Sequence, residues 1–80
     1  MARRNAPGPH SRAISALLDS ERETQGLTQT ALGGISGISQ SQVSKLLRAE
    51  RMFTVDDLDR LCTALGLDIV DVVRAAAGRH

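Results

Sequence analysis

Apolar residues recur along this chain at steps of three and four, the spacing of one face of an α-helix. Nowhere do they alternate at period two over the length of a strand. Glycines and helix-capping side chains divide the pattern into five stretches, which predicts five helices with short connections and no internal repeat. In the first, Ile14, Leu17 and Leu18 form the stripe, Ser11 is placed to cap the start, and Gly26 to end it in a left-handed conformation. Thr28 caps a short second helix carrying Ala31, Leu32 and Ile35. Gly37 breaks the chain at a position where a positive φ is free of strain only for glycine. Ser39 caps a third helix with Val43, Leu46 and Leu47 on one face, and Gln42 stands at its capping-box position. Thr54, with Asp57 three residues on, caps a fourth helix whose stripe is Val55, Leu58, Leu61, Cys62 and Leu65, closed by Gly66. Asp68 caps a fifth with Ile69, Val72, Val73 and Ala76 inward.

Ahead of the first stripe, residues 1–10 hold Pro7, Gly8, Pro9 and two arginines without an apolar period, and read as a flexible basic arm. Residues 11–77 read as one helical domain and 78–80 as a fraying tail. No apolar run approaches the roughly 20 residues that span a bilayer, so no membrane role is expected. The basic start lacks the apolar stretch of a secretory signal. The single cysteine, Cys62, excludes an intramolecular disulfide and a multi-cysteine zinc site. A free thiol suits a reducing compartment, and the cytoplasm is the expected location. Phe53 is the one aromatic residue, so the core is expected to be aliphatic. The chain also lacks the aromatic platforms on which single-stranded RNA stacks.

The net charge of +1 says little, but its distribution says more. Residues 1–53 carry seven cations and four anions, and residues 54–80 three cations and five anions. A basic front and an acidic back suit a protein that presents one side to phosphates. Ordinary scatter of surface charge gives the same tally, and charge alone does not separate the two.

Other chemistry is faint. His10 and His80 lie near the ends with no partner at metal-ligand spacing, so no metal site is expected. Cys62 sits on an apolar stripe, as a core residue does. Asp56, Asp57 and Asp59 are helix-start charges rather than a paired acid and base. Gly33-Gly34 lacks the strand before and the lysine after that a phosphate loop needs. No cofactor and no enzymatic activity are expected.

The third helix is more informative. On a helical wheel Val43, Leu46 and Leu47 point one way, and Ser41, Ser44, Lys45 and Arg48 the other, with Gln40 at the open first turn. That face offers hydroxyls, an amide and two cations, with no carboxylate. Glutamine pairs both edge groups of adenine, lysine donates to guanine O6 and N7, and serine serves either base. Any solvated helix face needs polar residues, so the face alone gives duplex DNA only a slight edge.

The order of residues around it adds weight. Gly26-Leu27-Thr28-Gln29, Leu32, Gly37-Ile38-Ser39-Gln40-Ser41, Val43-Ser44 and Leu46 resemble the phage-repressor family of helix-turn-helix proteins, of the Cro/C1 type. Downstream, Leu58, Leu61, Ala64-Leu65-Gly66-Leu67 and the helix from Asp68 to Val73 fall at the family's spacing. The resemblance implies an all-α, five-helix, lambda-repressor-like DNA-binding domain with the helix-turn-helix at helices two and three. It implies base contacts from Gln40, Ser41, Ser44 and Lys45. It implies phosphate contacts from Thr28, Gln29, Arg48 and Arg51, with Arg3 and Arg4 as candidate arm contacts. Three positions depart from the family. Ala49 stands where glycine is usual, Leu47 where a carboxylate is common, and Gly33 where alanine is usual. The third helix is therefore expected to exit differently or run longer, and the glycine pair to weaken helix two.

The function expected is that of a transcriptional regulator, a repressor or Cro-like protein that blocks an operator sterically. A homodimer on double-stranded DNA is expected, with the fifth helix and the loop around Met52 and Phe53 as the contact. The alternatives are an antitoxin, which adds a protein partner, an excision or recombination accessory factor, and an interaction module that has lost DNA binding.

Overall fold

Helix starts in this chain are set by single side chains, and four of the five caps stand where the sequence places them. The computed structural model describes residues 6–78. Its elements are α1 (Pro9–Thr24), α2 (Gln29–Ser36), α3 (Gln40–Leu47), α4 (Val55–Leu65) and α5 (Ile69–Ala77), with no strand among the described residues. Thr28 Oγ1 accepts from the Ala31 N–H at 3.0 Å. Ser39 Oγ accepts from Gln42 N–H at 3.3 Å. Asp68 Oδ1 accepts from Val70 and Asp71 at 2.8 and 3.3 Å. At α4 the box is reciprocal: Thr54 Oγ1 accepts from Asp57 N–H, and Asp57 Oδ2 accepts from Thr54 N–H.

The exception is α1. It starts at Pro9 with Gly8 as its cap, so Ser11 lies inside the first turn and caps nothing. Proline is preorganised for the first helical position, where its missing N–H costs no bond, and that preference overrides the serine. Gly26, Gly37 and Gly66 all take the expected left-handed φ, between 72° and 79°. After Gly26 and Gly66 the next N–H reaches back to the last turn, Leu27 to Arg22 and Leu67 to Cys62.

Packing follows from the stripes. α1 lies against α3, α4 and α5, α2 against α3 and α4, and α4 against α5. Leu18, Leu32, Val43, Leu46 and Leu61 are fully buried at the centre. Burying each such aliphatic side chain contributes about 1.5–3 kcal/mol. Cys62 is buried among them, and that burial, helped by Asp59 and Asp68, pushes its thiol pKa up. Phe53 packs on the core's edge, so it is withdrawn from the surface expected of the Met52–Phe53 loop. Three stripe positions fall outside the core: Ile35 is 57% exposed, Val55 77% and Val73 44%. Val55 is the first residue of α4 and faces solvent. On α2 the buried side runs through Leu32 and Gly33, which leaves Ile35 at its edge. On α5 the apolar arc is wider than the core that receives it, so Val72 and Ala76 are buried while Val70 and Val73 face outward. The tail's last two residues, and Met1 to Asn5 of the arm, lie outside the described residues.

Candidate nucleic-acid interface

The helix-turn-helix is built on a backbone contact. A Cβ at Gly33 would stand 2.9 Å from the Ile38 carbonyl oxygen and 3.5 Å from Gln40 Cα. Glycine therefore lets α2 lie against the chain entering α3, closer than alanine allows. The two glycines of the pair differ in their surroundings: beside Gly34 a Cβ would meet nothing within 4 Å. Gly37 turns the chain at φ 79°, and Ile38 is buried beneath the turn. α3 then leaves the Ser39 cap with Val43, Leu46 and Leu47 inward.

Two ties fix α3 further. From α1, buried Ser15 Oγ donates to the Leu46 carbonyl at 2.7 Å, satisfying one of the helix's last carbonyls. Ser15 was readable as a polar residue on an apolar stripe, between Ile14 and Leu18, yet its partner was not. From the α3–α4 loop, Arg51 Nη1 donates to Gln42 Oε1. The expected capping box at Gln42 is thus only half present: Ser39 caps, and the Gln42 side chain turns to Arg51.

α3 does not run on. It ends at Leu47 with Ala49 in the left-handed region, φ 58°, the one described non-glycine residue there. Ala49 N–H donates to Leu46 O at 3.2 Å and Glu50 N–H to Lys45 O at 2.9 Å, so alanine performs a glycine's closing turn. Leu47, where the resembled family often has a carboxylate, is a buried core residue.

The exposed side of α3 carries Gln40, Ser41 and Lys45, with Ser44 half-buried behind them. Arg48 follows as the C-cap, exposed and 3.3 Å from Glu50 Oε2. An exposed ion pair of this kind is worth little and yields readily to a phosphate. Thr28 is exposed and already serves as the α2 cap, while Gln29 is half-buried at the first position of α2. Arg51 differs from these: Nη2 lies 3.1 Å from Asp57 Oδ2, so both of its terminal nitrogens are engaged within the chain. Arg3 and Arg4 lie outside the described residues. Among the described residues no cluster of His, Cys, Asp or Glu is arranged to hold a metal. No helix among them is long and apolar enough to cross a membrane.

Comparison with known proteins agrees with this geometry. Residues 13–77 match the helix-turn-helix domain family. The crystal structure of the clp gene regulator ClgR from C. glutamicum superposes with a TM-score of 0.77 at 33% identity, covering 86% of this chain and 90% of that one. The restriction-modification controller protein C.AhdI from Aeromonas hydrophila gives 0.71 at 27% identity, over 75% of this chain and 91% of that one. A hypothetical transcription factor, NHTF, from Neisseria shares the fold at 18% identity and a TM-score of 0.73, over 100% of this chain and 98% of its own. No curated protein sequence matches the chain.

Proposed function

The chain belongs to the helix-turn-helix domain family and is a DNA-binding transcriptional regulator, and from that premise we propose how it acts. It reads duplex operator DNA in the major groove with the start of α3 and represses by occupying the site. The observation that carries this is the make-up of α3. Its inner face is locked in the core and its outer face offers Gln40, Ser41 and Lys45 with no carboxylate. A capped helix start aimed at DNA also presents a partial positive charge to phosphate.

In this reading Gln40, Ser41, Ser44 and Lys45 contact base edges. Thr28, Gln29 and Arg48 contact phosphate. Arg3 and Arg4 are candidate groove contacts from the arm. The protein works in the cytoplasm, where its DNA lies, and as a regulator rather than an enzyme.

We further propose that it binds as a homodimer. One recognition helix covers too few base pairs to find an operator in a genome. α5 supplies the surface: Val70 is 56% exposed and lies beside Val73 and Ala77 on the arc that the core leaves uncovered. A two-fold axis through such a strip makes it self-complementary.

Selection of bound duplexes from a random pool tests the reading. The expected outcome is a symmetric consensus with half-sites roughly 34–36 Å apart. Affinity should fall linearly in log salt, at about 0.9 per phosphate neutralised. Failure to retain any duplex at low salt defeats it.

A further inference from the structure

Arg51 occupies a place that the phosphate assignment does not explain. Its guanidinium lies between Gln42 on the flank of α3 and Asp57 in the first turn of α4. The same Asp57 Oδ2 accepts from the Thr54 N–H at 3.4 Å, so the carboxylate is itself held by the α4 cap. A guanidinium only donates, which requires that the Gln42 carbonyl, not its amide nitrogen, face Arg51. The planar fork thus bonds at one tip to a side chain of α3 and at the other to a carboxylate that the α4 cap already holds. About two-thirds of the Arg51 side chain is withdrawn from solvent, whereas Arg48 is mostly exposed beside a loosely held Glu50. Two of the five Arg51 N–H donors are spent within the chain, and the Asp57 charge already balances its own, which weakens its pull on a phosphate.

We propose that Arg51 is a positioning residue: it clamps the flank of α3 to the start of α4 and so sets the angle at which Gln40, Ser41 and Lys45 meet the bases. This rests on α3 being the reading helix. Ser15 supplies the opposing tie, holding the Leu46 carbonyl from α1. One tie acts at the back of the helix near its end and the other on its flank near its start. Together with the buried Val43, Leu46 and Leu47 they oppose rotation of α3 about its own axis, and they do so with directional bonds that fix its final angle. Arg51 therefore acts on sequence preference and leaves the count of neutralised phosphates unchanged.

The probes are the duplex recovered from a random pool by the wild-type chain and a scrambled duplex of the same composition. The variants are Arg51→Ala, Arg51→Lys and Asp57→Asn, with circular dichroism to establish that each is helical. Lysine keeps the charge that a phosphate needs but cannot fork to two partners. Asp57→Asn weakens the clamp while leaving Arg51 free to reach outward. The clamp predicts that all three variants lower the ratio of recovered to scrambled affinity, by about tenfold. It also predicts that the slope of log affinity against log salt stays at the wild-type value. A phosphate contact predicts the reverse. Arg51→Ala would flatten that slope by about 0.9 on both duplexes, Arg51→Lys would retain it, and Asp57→Asn would tighten both. That pattern, or an unchanged ratio in the helical variants, overturns the proposal. Should Arg51→Ala fail to fold, the other two variants decide. A wild-type chain that binds neither duplex overturns the DNA reading beneath the proposal, and the proposal with it.

Discussion

Ala49 closes α3 at φ 58°, where its Cβ crowds the backbone. For an L-residue the left-handed region costs about 1–2 kcal/mol, and glycine there returns about 0.5–1 kcal/mol of that to the unfolded chain's entropy. Ala49→Gly should therefore stabilise the domain by about 0.5–1 kcal/mol, a rise of several degrees in Tm in a thermal melt. The two helical glycines of α2 should respond in opposite directions. Gly34→Ala adds a helix former in open space and should stabilise by about 0.5–1 kcal/mol. Gly33→Ala pushes a methyl to 2.9 Å from a carbonyl oxygen and should destabilise by about 1–3 kcal/mol. Urea titration of the two variants side by side checks both signs. The sequence alone shows Gly33 and Gly34 as a pair. Only the fold shows that one of them touches backbone.

At the scale of the element, what was legible was local. Thr28, Ser39, Thr54 and Asp68 announce helix starts because a cap bonds two or three residues along its own chain. Gly26, Gly37 and Gly66 announce ends for the same reason. Stripes show which way a helix faces but not how far its neighbours extend, which is why Ile35, Val55 and Val73 were expected inside and lie outside. The candidate site divides in the same way. The outer face of α3 could be placed from periodicity, while the Gln42–Arg51–Asp57 chain joins residues from two helices and a loop and has no periodic signature. Ser39 links stability to reading at this scale. Ser39→Ala should cost about 1 kcal/mol of stability, and fraying of the first turn should loosen Gln40 and Ser41. Gel shifts on the recovered duplex should then show weaker binding beyond what unfolding accounts for.

For the molecule as a whole, the uncovered apolar arc of α5 is the feature that the single chain leaves unused. If two copies pair through it, Val73→Asp buries a carboxylate against apolar partners and should abolish the dimer. Sedimentation at increasing concentration would show a monomer, with the helical spectrum intact because Val73 is not part of the core. The variant should bind a probe with one scrambled half-site as well as it binds the intact site. The wild type should prefer the intact site. A variant that remains dimeric excludes α5 as the interface.

The burial of Cys62 gives the protein a built-in sensor of its own opening. A thiol shielded by the core, with its pKa pushed up, reacts with an alkylating reagent only when the domain opens. Labelling in native buffer thus times excursions that leave no mark on the average structure. DNA that binds only the closed form makes those excursions rarer, by the same factor by which it favours that form. The rate at which Cys62 is alkylated should therefore fall as duplex is added, and the curve of that fall is a binding isotherm. An unmodified chain, without a dye or a tag, would in this way report its affinity for any duplex through one sulfur atom on α4, a helix to which no DNA contact is assigned. A labelling rate indifferent to a duplex that gel shifts show to be bound would mean that Cys62 reacts through a local fluctuation that α3 does not feel.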